Sequence, residues 1–271
     1  PPRSTLFPYT TLFRSEILDE KVKAIDVEKA MSAPQRIHEV TSYILNHYDH
    51  KTKRQSVYNH QGKQLAGFNS IFAVSSIPVA MKYYLEFQKQ IKENLRPLNV
   101  AMIYSFSVNE DDPEQVVPEE GFDTSKLDQS SRDFLEGAIK DYNAMFNTNF
   151  DTSSDKFQNY YKDVSMRVKN REIDVLIVVN MFLTGFDATT LNTLWVDKNL
   201  KYHGLLQAFS RTNRILNTVK SYGNIVCFRD LKDATDEAIA LFGNKDAGGI
   251  VLLKSYQDYY YGYKEKGKHI P

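Results

Sequence analysis

The sequence predicts an α/β fold in which an open, mostly parallel sheet carries helices on both faces. Five short apolar runs alternate with longer stretches in which apolar residues recur every three or four positions, the pattern of strands alternating with amphipathic helices. One run, Asp174-Val-Leu-Ile-Val-Val-Asn180, is apolar without alternation. Such a run is typical of a strand that is buried on both faces of a parallel sheet.

The first predicted helix begins at Ser32-Ala-Pro34, where a proline in the first turn is favourable, and continues to about Tyr48. A polar stretch over residues 49–64 then breaks the helical pattern. Strands are expected at residues 70–74, 100–104, 174–180, 192–196 and 223–228. The helices expected between and after them cover residues 75–91, 134–145, 157–168, 207–214 and 232–242.

The chain has 271 residues and 42% hydrophobic content, which is enough to bury the core of one α/β domain with appendages. We expect this domain over residues 65–243. A helical linking segment should precede it at residues 16–64, and the start of a short helical extension should follow it at residues 244–271. Residues 108–129 are acidic and have no period, so they predict a solvated loop within the domain.

The first fifteen residues differ in character from the rest of the chain. They repeat Thr-Leu-Phe at an offset of six and do not continue the pattern of the domain. Their sequence is similar to translated sequencing-adapter read-through, so we expect residues 1–15 to be a non-native or disordered tail. On this interpretation the native protein extends further towards the N-terminus.

Charge and cysteine content restrict the class of protein. Lysine plus arginine and aspartate plus glutamate each number 34, so any contact with DNA requires a local basic patch rather than a global field. The single cysteine, Cys227, cannot form an internal disulfide and is expected to be a buried strand residue in a reducing compartment. No run approaches the ~20 apolar residues that span a bilayer, so we expect a cytoplasmic protein without a membrane partner.

Two polar motifs follow the apolar run at residues 174–180. Thr184-Gly-Phe-Asp187 occupies the turn after that strand, the place where parallel α/β sheets bind ligands. In the second motif, Gln207-Ala-Phe-Ser-Arg-Thr-Asn-Arg214, spacings of four and three place Gln207, Arg211 and Arg214 on one face of a helix. Two cations and an amide on one face indicate phosphate chemistry or, alternatively, a surface salt-bridge face.

In this order the two motifs resemble motifs V and VI of superfamily 2 helicases and translocases, whose motif VI reads Gln-x-x-x-Arg-x-x-Arg. Together with Val179-Asn-Met-Phe-Leu-Thr-Gly-Phe-Asp187 and Val196-Asp-Lys-Asn-Leu-Lys-Tyr-His-Gly204, they are similar to the motor (R) subunit of type I restriction enzymes. The resemblance runs from about Ala33 to the C-terminus and is weakest at both ends. It implies that residues 65–243 form a RecA-like second helicase lobe with motifs IV, V and VI, which would contribute to ATP-dependent DNA translocation and restriction.

The resemblance also implies roles for individual residues. Arg214 would be the arginine finger on the γ-phosphate, Arg211 its phosphate-binding or interlobe partner, and Gln207 the residue that orients a water or contacts the nucleotide. Gly185 and Asp187 would complete the ATP-binding set, with Asp187 reaching the ribose or bracing the arginines. The residues expected to contact the DNA backbone are Thr184, Ser75, Ser76, Asn180 and Lys198.

Structural alternatives remain open for several of these residues. Asp187 could instead be the N-cap of a helix over residues 188–191. Ser75 and Ser76 could simply cap the helix that starts at Pro78. His47-Tyr-Asp-His50 has a helical spacing that could hold a metal, but no third ligand lies near it in the sequence, so no metal site is expected.

The sequence contains no Gly-x-x-x-x-Gly-Lys-Ser/Thr phosphate loop, no acidic tetrad for magnesium and no nuclease motif of the family. ATP and Mg²⁺ should therefore be held mainly by the first RecA-like lobe, and this chain alone should be inactive. The partners implied by the resemblance are double-stranded DNA, that first lobe, and the modification and specificity subunits. Two alternatives are the second lobe of another superfamily 2 DNA or RNA helicase and a non-catalytic RecA-like interaction domain.

Overall fold

The computed structural model describes residues 27–95, 97–104, 127–216 and 219–242, together with the backbone of two short strands near the C-terminus. The strands are β1 (Val57–His60), β2 (Lys63–Ala66), β3 (Asn69–Val74), β4 (Val100–Ile103), β5 (Val175–Val178), β6 (Leu191–Asp197), β7 (Asn224–Cys227), β8 (Tyr263–Glu265) and β9 (Lys268–Ile270). The helices are α1 (Val27–Met31), α2 (Pro34–Lys51), α3 (Ile77–Glu93), α4 (Gln129–Phe146), α5 (Ser154–Lys169), α6 (Tyr202–Ser210) and α7 (Lys232–Phe242).

Strands β3 to β7 form one five-stranded sheet in the order β4-β5-β3-β6-β7, and every neighbouring pair is parallel. The five predicted strands and their alternation with helices are confirmed. At the centre of the sheet, Phe72 of β3 pairs with Ile177 of β5 and with Trp195 of β6. Because all five strands run in the same direction, the loops after their C-terminal ends lie along one edge, which we call the C-terminal edge.

The central strands are buried, as their unbroken apolar sequences predict. Every residue of β3, β5 and β6 is buried. The flanking helices contribute apolar stripes to the same core; α2, for example, buries Ile37, Ile44 and Tyr48 against the sheet. Among the helices in the described ranges, none is both long enough and apolar enough to span a bilayer.

Most of a β-hairpin lies within residues 49–64, which were predicted only as a polar break, and its second strand continues to Ala66. After α2 ends, β1 pairs with β2 in antiparallel register across Gln61 and Gly62. These two residues have φ values of 48° and 78°, as a two-residue type I′ turn requires. A Cβ at Gly67 would lie 2.6 Å from the Arg54 Cα, so the hairpin approaches the segment after α2 only because residue 67 has no side chain.

Two predictions fall largely outside the described ranges. The acidic loop predicted at residues 108–129 is described only at its last residues. The predicted helical extension at residues 244–271 is described only at Tyr263–Glu265 and Lys268–Ile270, which pair as antiparallel strands rather than forming a helix.

Candidate functional site

The loop after β5, residues 179–190, carries the first motif. Phe182 and Phe186 are buried and pack on each other with their ring centroids 4.7 Å apart. The polar residues of the loop are more accessible to solvent than these two aromatic residues: Thr184 is half-buried and Asp187 is exposed. The aromatic residues therefore fix the loop against the domain and leave its polar groups at the surface.

A tight turn at Gly185 shapes this motif. The Phe186 amide donates to the Thr184 carbonyl at 2.8 Å across Gly185, whose φ is 67°. A three-residue turn with positive φ is unfavourable for residues with a side chain but accessible to glycine. Gly185 is also exposed, so a phosphate oxygen can approach its backbone amide and the neighbouring hydroxyl of Thr184.

The alternative role of Asp187 as a helix N-cap is wrong. Residues 188–190 form a turn, closed by a 3.2 Å hydrogen bond from the Leu191 amide, and the chain then enters β6. Thr190 is β-branched and disfavours a helix here, and its hydroxyl donates to the Val168 carbonyl at 2.9 Å. The Asp187 carboxylate is therefore left for a partner other than a helix N-terminus.

The helix of the second motif begins and ends earlier than the predicted range of residues 207–214. α6 ends at Ser210, Arg211 takes the C-cap position, and Arg214 lies beyond the helix. The prediction that Gln207, Arg211 and Arg214 share one helix face is therefore wrong for Arg214.

Tertiary packing at Thr212 explains the early end of the helix. Thr212 is buried, and its hydroxyl donates to the Phe209 carbonyl at 3.3 Å. The chain then returns to this point, because a Cβ at Gly223 would lie 2.4 Å from Thr212 Oγ1. The described residues 211–216 and 219–223 thus form a folded-back segment, which we call the return loop.

The two motifs meet through their arginines. Arg211 Nη1 donates to the Phe186 carbonyl at 2.6 Å, and its Nε donates to the Gln207 carbonyl at 3.0 Å. Arg214 Nε lies 3.0 Å from Asp187 Oδ1. The return loop therefore brings Arg214 to the first motif even though Arg214 has left the helix. We call the group formed by Asp187, Arg211 and Arg214 the arginine corner.

The charge balance of the arginine corner is positive. Burial lowers the pKa of Arg211, the neighbouring charge of Arg214 lowers it further, and Asp187 opposes both effects. The side chains of Arg214 and Asp187 remain 54% and 58% exposed, so an incoming anion can reach them. Because an additional negative charge favours the charged form of a guanidinium, the corner has the electrostatics of a phosphate site.

Gln207 makes its side-chain contact within α6. Its amide nitrogen lies 2.6 Å from Nε2 of His203, one helical turn earlier. His203 is exposed and was not among the predicted site residues. Its position four residues before Gln207 is the sequence signal that could have identified it.

The other predicted DNA-contacting residues follow the three central strands at the C-terminal edge. Ser75 and Ser76 follow β3, Asn180 follows β5, and Lys198 follows β6. Lys198 Nζ contacts the side-chain oxygen of Asn180 and donates to the Val179 carbonyl at 3.3 Å. Because β3 lies between β5 and β6, this contact crosses the end of the central strand.

The two serines combine features of both interpretations. Ser76 occupies the N-cap position of α3 but makes no side-chain capping hydrogen bond. The Ser75 hydroxyl is buried and has no hydrogen-bond partner within the described residues. Amides in the first turn of a helix without a side-chain cap are available to an anion.

A buried ion cluster at the C-terminal edge was not predicted from the sequence. Asp197, the last residue of β6, is fully buried, and Arg36 of α2 binds it through both terminal nitrogens at 2.7 and 2.6 Å. The Tyr83 hydroxyl donates to it at 2.6 Å, and Arg229 Nε lies 3.3 Å away. This Asp197 cluster joins side chains from α2, α3, β6 and the segment after β7.

The arginine corner fits phosphate groups better than a metal ion. Arginine forks match phosphate oxygens, whereas magnesium requires oxygen ligands such as carboxylates. Within the described ranges, no cluster of three or more His, Cys, Asp or Glu side chains could hold a metal ion. His47, one of the two histidines whose helical spacing was considered for a metal, contacts the Tyr43 carbonyl through Nδ1 at 2.8 Å.

Solved structures give only a weak comparison. Domain 2 of the Mss116p DEAD-box helicase, bound to an RNA duplex, aligns with a TM-score of 0.40 at 11% identity, covering 82% of this chain and 58% of that chain.

Sequence comparison is more informative. The type I restriction enzyme SauMRSORF196P endonuclease subunit of Staphylococcus aureus is 42% identical over 257 residues, which are 93% of this chain and 25% of that protein. The SsaAORF53P endonuclease subunit of Staphylococcus saprophyticus is 42% identical over 243 residues, covering 89% and 24%. This chain thus spans about a quarter of the length of these curated relatives.

A family model described as type I restriction enzyme subunit R domain 3 matches residues 66–230, more than half of the chain. The matched range includes both motifs and all five strands of the parallel sheet. The chain therefore belongs to the R subunit family of type I restriction enzymes.

Proposed function

We propose that this chain supplies the second, RecA-like motor lobe of an R subunit that couples ATP hydrolysis to DNA translocation and restriction. The arginine corner is the observation that carries the proposal. It brings two guanidinium groups and a single carboxylate together at the C-terminal edge of a parallel sheet. A positive corner of this kind suits phosphates that are bound by another lobe.

Arg214 is the candidate arginine finger. Its side chain is more than half exposed, so it can reach a nucleotide that approaches from outside this domain. A guanidinium at that position would offset the charge that develops on the γ-phosphate. Arg211 is more restricted, because it is bound to the Phe186 carbonyl, and it would hold a phosphate or the interface with the first lobe. Gln207, beside His203, would orient a water or contact the nucleotide.

The DNA backbone would lie along the C-terminal edge. Thr184 provides a hydroxyl, which is a typical contact to a DNA phosphate, while the accessible amide of the neighbouring Gly185 would contact a phosphate of the nucleotide. The serines after β3 and the contact between Asn180 and Lys198 extend this edge across the central strand. These contacts would be independent of base sequence, so recognition of the DNA site would depend on a specificity subunit.

The first lobe would supply the remaining catalytic groups. Because the sequence lacks a phosphate loop, ATP would be held mainly by that lobe, where Mg²⁺ would neutralise charge on the β- and γ-phosphates. We accordingly expect the chain alone to show no ATPase activity. The complete enzyme would act in the cytoplasm on double-stranded DNA, together with its modification and specificity subunits.

The test is Arg214→Ala in the complete R subunit, assembled with the modification and specificity subunits. We expect the DNA-stimulated kcat for ATP hydrolysis to fall by about 10³-fold or more, because a finger acts on the transition state. Translocation, measured by displacement of a triplex-forming strand, should be lost. The KM for ATP should change less, since the phosphates are bound mainly by the other lobe.

The matched control is Lys232→Ala. This substitution also removes a cation that pairs with a carboxylate, Asp236, but on α7, outside the sequence of the two motifs. The control should translocate normally. Unchanged translocation by a correctly folded Arg214→Ala enzyme would show that the proposed function of the arginine corner is wrong.

A further inference from the structure

Lys220 is a buried cation that the proposed function does not explain. Its side chain has 0% exposure, although lysine is rarely buried completely without a partner. Its Nζ donates to the Leu191 carbonyl at 2.6 Å and to the Thr189 carbonyl at 3.1 Å. Burial lowers the pKa of Lys220 to about 8, while Asp187 opposes this shift and Lys53 adds to it. Because burying an ammonium group is costly, packing alone does not account for this lysine.

The contacts of Lys220 connect both motifs. One of the carbonyls that its side chain binds belongs to Thr189 in the turn that follows Asp187, and the other belongs to Leu191, the first residue of β6. Its backbone exchanges hydrogen bonds of 3.0 and 3.1 Å with Leu216, which lies two positions after Arg214. Lys220 therefore links the segment that carries Arg214 directly to the segment that carries Asp187.

Other contacts fix the return loop at different points. Gly223 lies against Thr212, and Lys53 donates to the Val219 carbonyl at 3.0 Å from the segment after α2. Neither of these contacts involves the first motif. Two contacts do join the motifs. Arg211 donates to the Phe186 carbonyl, but it lies at the start of the return loop, three positions before Arg214. The ion pair between Arg214 and Asp187 is exposed, and an exposed pair contributes little to holding a loop in place.

We propose that Lys220 is a positioning residue for Arg214, holding the return loop against the turn after Asp187 and so setting where the guanidinium meets the γ-phosphate. This inference rests on the proposed function of Arg214. A fixed position matters for a finger, because a displacement of about 1 Å can lower a rate by about 100-fold. The buried side chain of Lys220 provides the rigid support that the exposed side chain of Arg214 lacks.

The test uses Lys220→Met in the complete enzyme, because methionine keeps much of the side-chain volume and removes the donors. We expect the DNA-stimulated kcat for ATP to fall about 10- to 100-fold, with little change in KM. Rates should be normalised to the amount of DNA-bound complex, so that a loss of folded enzyme does not count as a loss of kcat. Lys232→Met removes an exposed lysine on α7 and should leave kcat unchanged.

An Arg214→Lys background separates positioning from general stabilisation. That substitution keeps a cation but removes the planar fork, so it should leave measurable residual activity. If Lys220 acts through Arg214, Lys220→Met should reduce kcat by a much smaller factor in this background than in the wild type. Equal fractional losses in the two backgrounds would overturn the positioning role.

Failure of this inference is distinguishable from failure of the proposed function. If Arg214→Ala abolishes translocation while Lys220→Met retains the wild-type kcat, only the positioning role is wrong. If Arg214→Ala has no effect, both are wrong. If Lys220→Met does not fold, Lys220→Arg can replace it, because arginine keeps hydrogen-bond donors but places them on a longer side chain. Lys220→Arg should likewise reduce kcat by a smaller factor in the Arg214→Lys background than in the wild type.

Discussion

The domain uses arginines in two contrasting arrangements at the same edge of its sheet. In the Asp197 cluster, two arginines converge on a carboxylate that is fully buried. In the arginine corner, Arg214 pairs with Asp187, whose side chain is 58% exposed, and Arg211 lies near enough for the charges of both residues to shift its pKa. Each arrangement contains two guanidinium groups and one carboxylate. The difference between them therefore lies in burial and geometry and not in composition.

The arginine pKa values shift in opposite directions in the two arrangements. Burial alone would lower the pKa of Arg36, but the hydrogen bonds and charge of Asp197 outweigh burial and raise it. Burial also lowers the pKa of Arg211, and there the charge of Arg214 adds to the decrease. The Asp197 cluster is thus satisfied within the fold, whereas the arginine corner would be stabilised by an additional anion.

A second satisfied cluster lies at the opposite edge of the sheet. Asp174, just before β5, contacts Arg171 at 2.7 Å and also pairs with Arg54, while the Tyr48 hydroxyl donates to its backbone carbonyl at 2.8 Å. Burial would lower the pKa of Arg54, but Asp174 outweighs this effect and raises it. None of the predicted site residues lies at this edge, so a satisfied cluster there is consistent with a purely structural role.

The largest effect on stability should come from breaking the Asp197 cluster. Asp197→Ala leaves the buried Arg229 and the half-buried Arg36 without their carboxylate, and removing one partner of a buried ion pair typically costs about 3–5 kcal/mol. Urea denaturation would measure this loss in the free energy of unfolding. Asp236→Ala removes the carboxylate of a surface pair and should have a much smaller effect. Comparable losses in the two variants would remove the contrast between buried and exposed arrangements.

The fold was predictable from sequence where its cause is local. Unbroken apolar runs identify strands buried on both faces, and apolar periodicity identified the helix at Lys232–Phe242 at its observed bounds. The hairpin of β1 and β2 was missed because most of its residues are exposed and polar, which leaves little periodic signal. Its two-residue turn at Gln61 and Gly62 was the remaining local indication.

The geometry of the candidate site depends on contacts that local sequence does not encode. Arg36 binds Asp197 across 161 positions of the chain, and α6 ends early because Thr212 packs against Gly223. Lys220 binds a backbone carbonyl 29 positions earlier. Because every residue has a backbone carbonyl, the sequence does not indicate which one a lysine binds. The two sequence motifs were therefore enough to identify the candidate residues. The return loop, which brings these residues together, could be recognised only in the structure.

Lys220 sharpens the comparison because it is buried, as Arg229 is, but its ammonium donates to carbonyls instead of a carboxylate. Below a pH of about 8, both folded and unfolded chains hold the proton, and the cost of burying the charge is fully present. Between about 8 and the ordinary pKa of 10.5, the unfolded chain holds more protons than the folded chain. The contribution of Lys220 to the free energy of unfolding should therefore rise with pH in this window.

The measurement compares wild type with Lys220→Met by urea denaturation at stepped pH, so that titrations common to both proteins cancel. As the pH rises through this window, we expect the free energy of unfolding of the wild type to increase relative to that of Lys220→Met by at most about 3 kcal/mol. Lys232→Met should show no such trend relative to the wild type, because that lysine is exposed. A flat difference for Lys220→Met would mean that its ammonium is not destabilised by burial.

The smallest effect on stability is expected at Asp187. Asp187→Asn keeps the side-chain shape and removes the charge, and because the pair with Arg214 is exposed, the free energy of unfolding should change by less than about 1 kcal/mol. Anion binding should respond more clearly, since the arginines lose a counter-charge. We expect pyrophosphate to stabilise Asp187→Asn at lower concentrations than it stabilises the wild type, as measured by the thermal midpoint.

Asp163→Asn provides the matched control, because Asp163 pairs with Arg167 along α5 and lies outside the two motifs. Its response to pyrophosphate should equal that of the wild type. Weaker pyrophosphate binding by Asp187→Asn would show that Asp187 takes part in holding the ligand. In that case the arginine corner would not have an excess of positive charge that an added anion neutralises. The proposed contrast between the arginine corner and the Asp197 cluster would then be wrong.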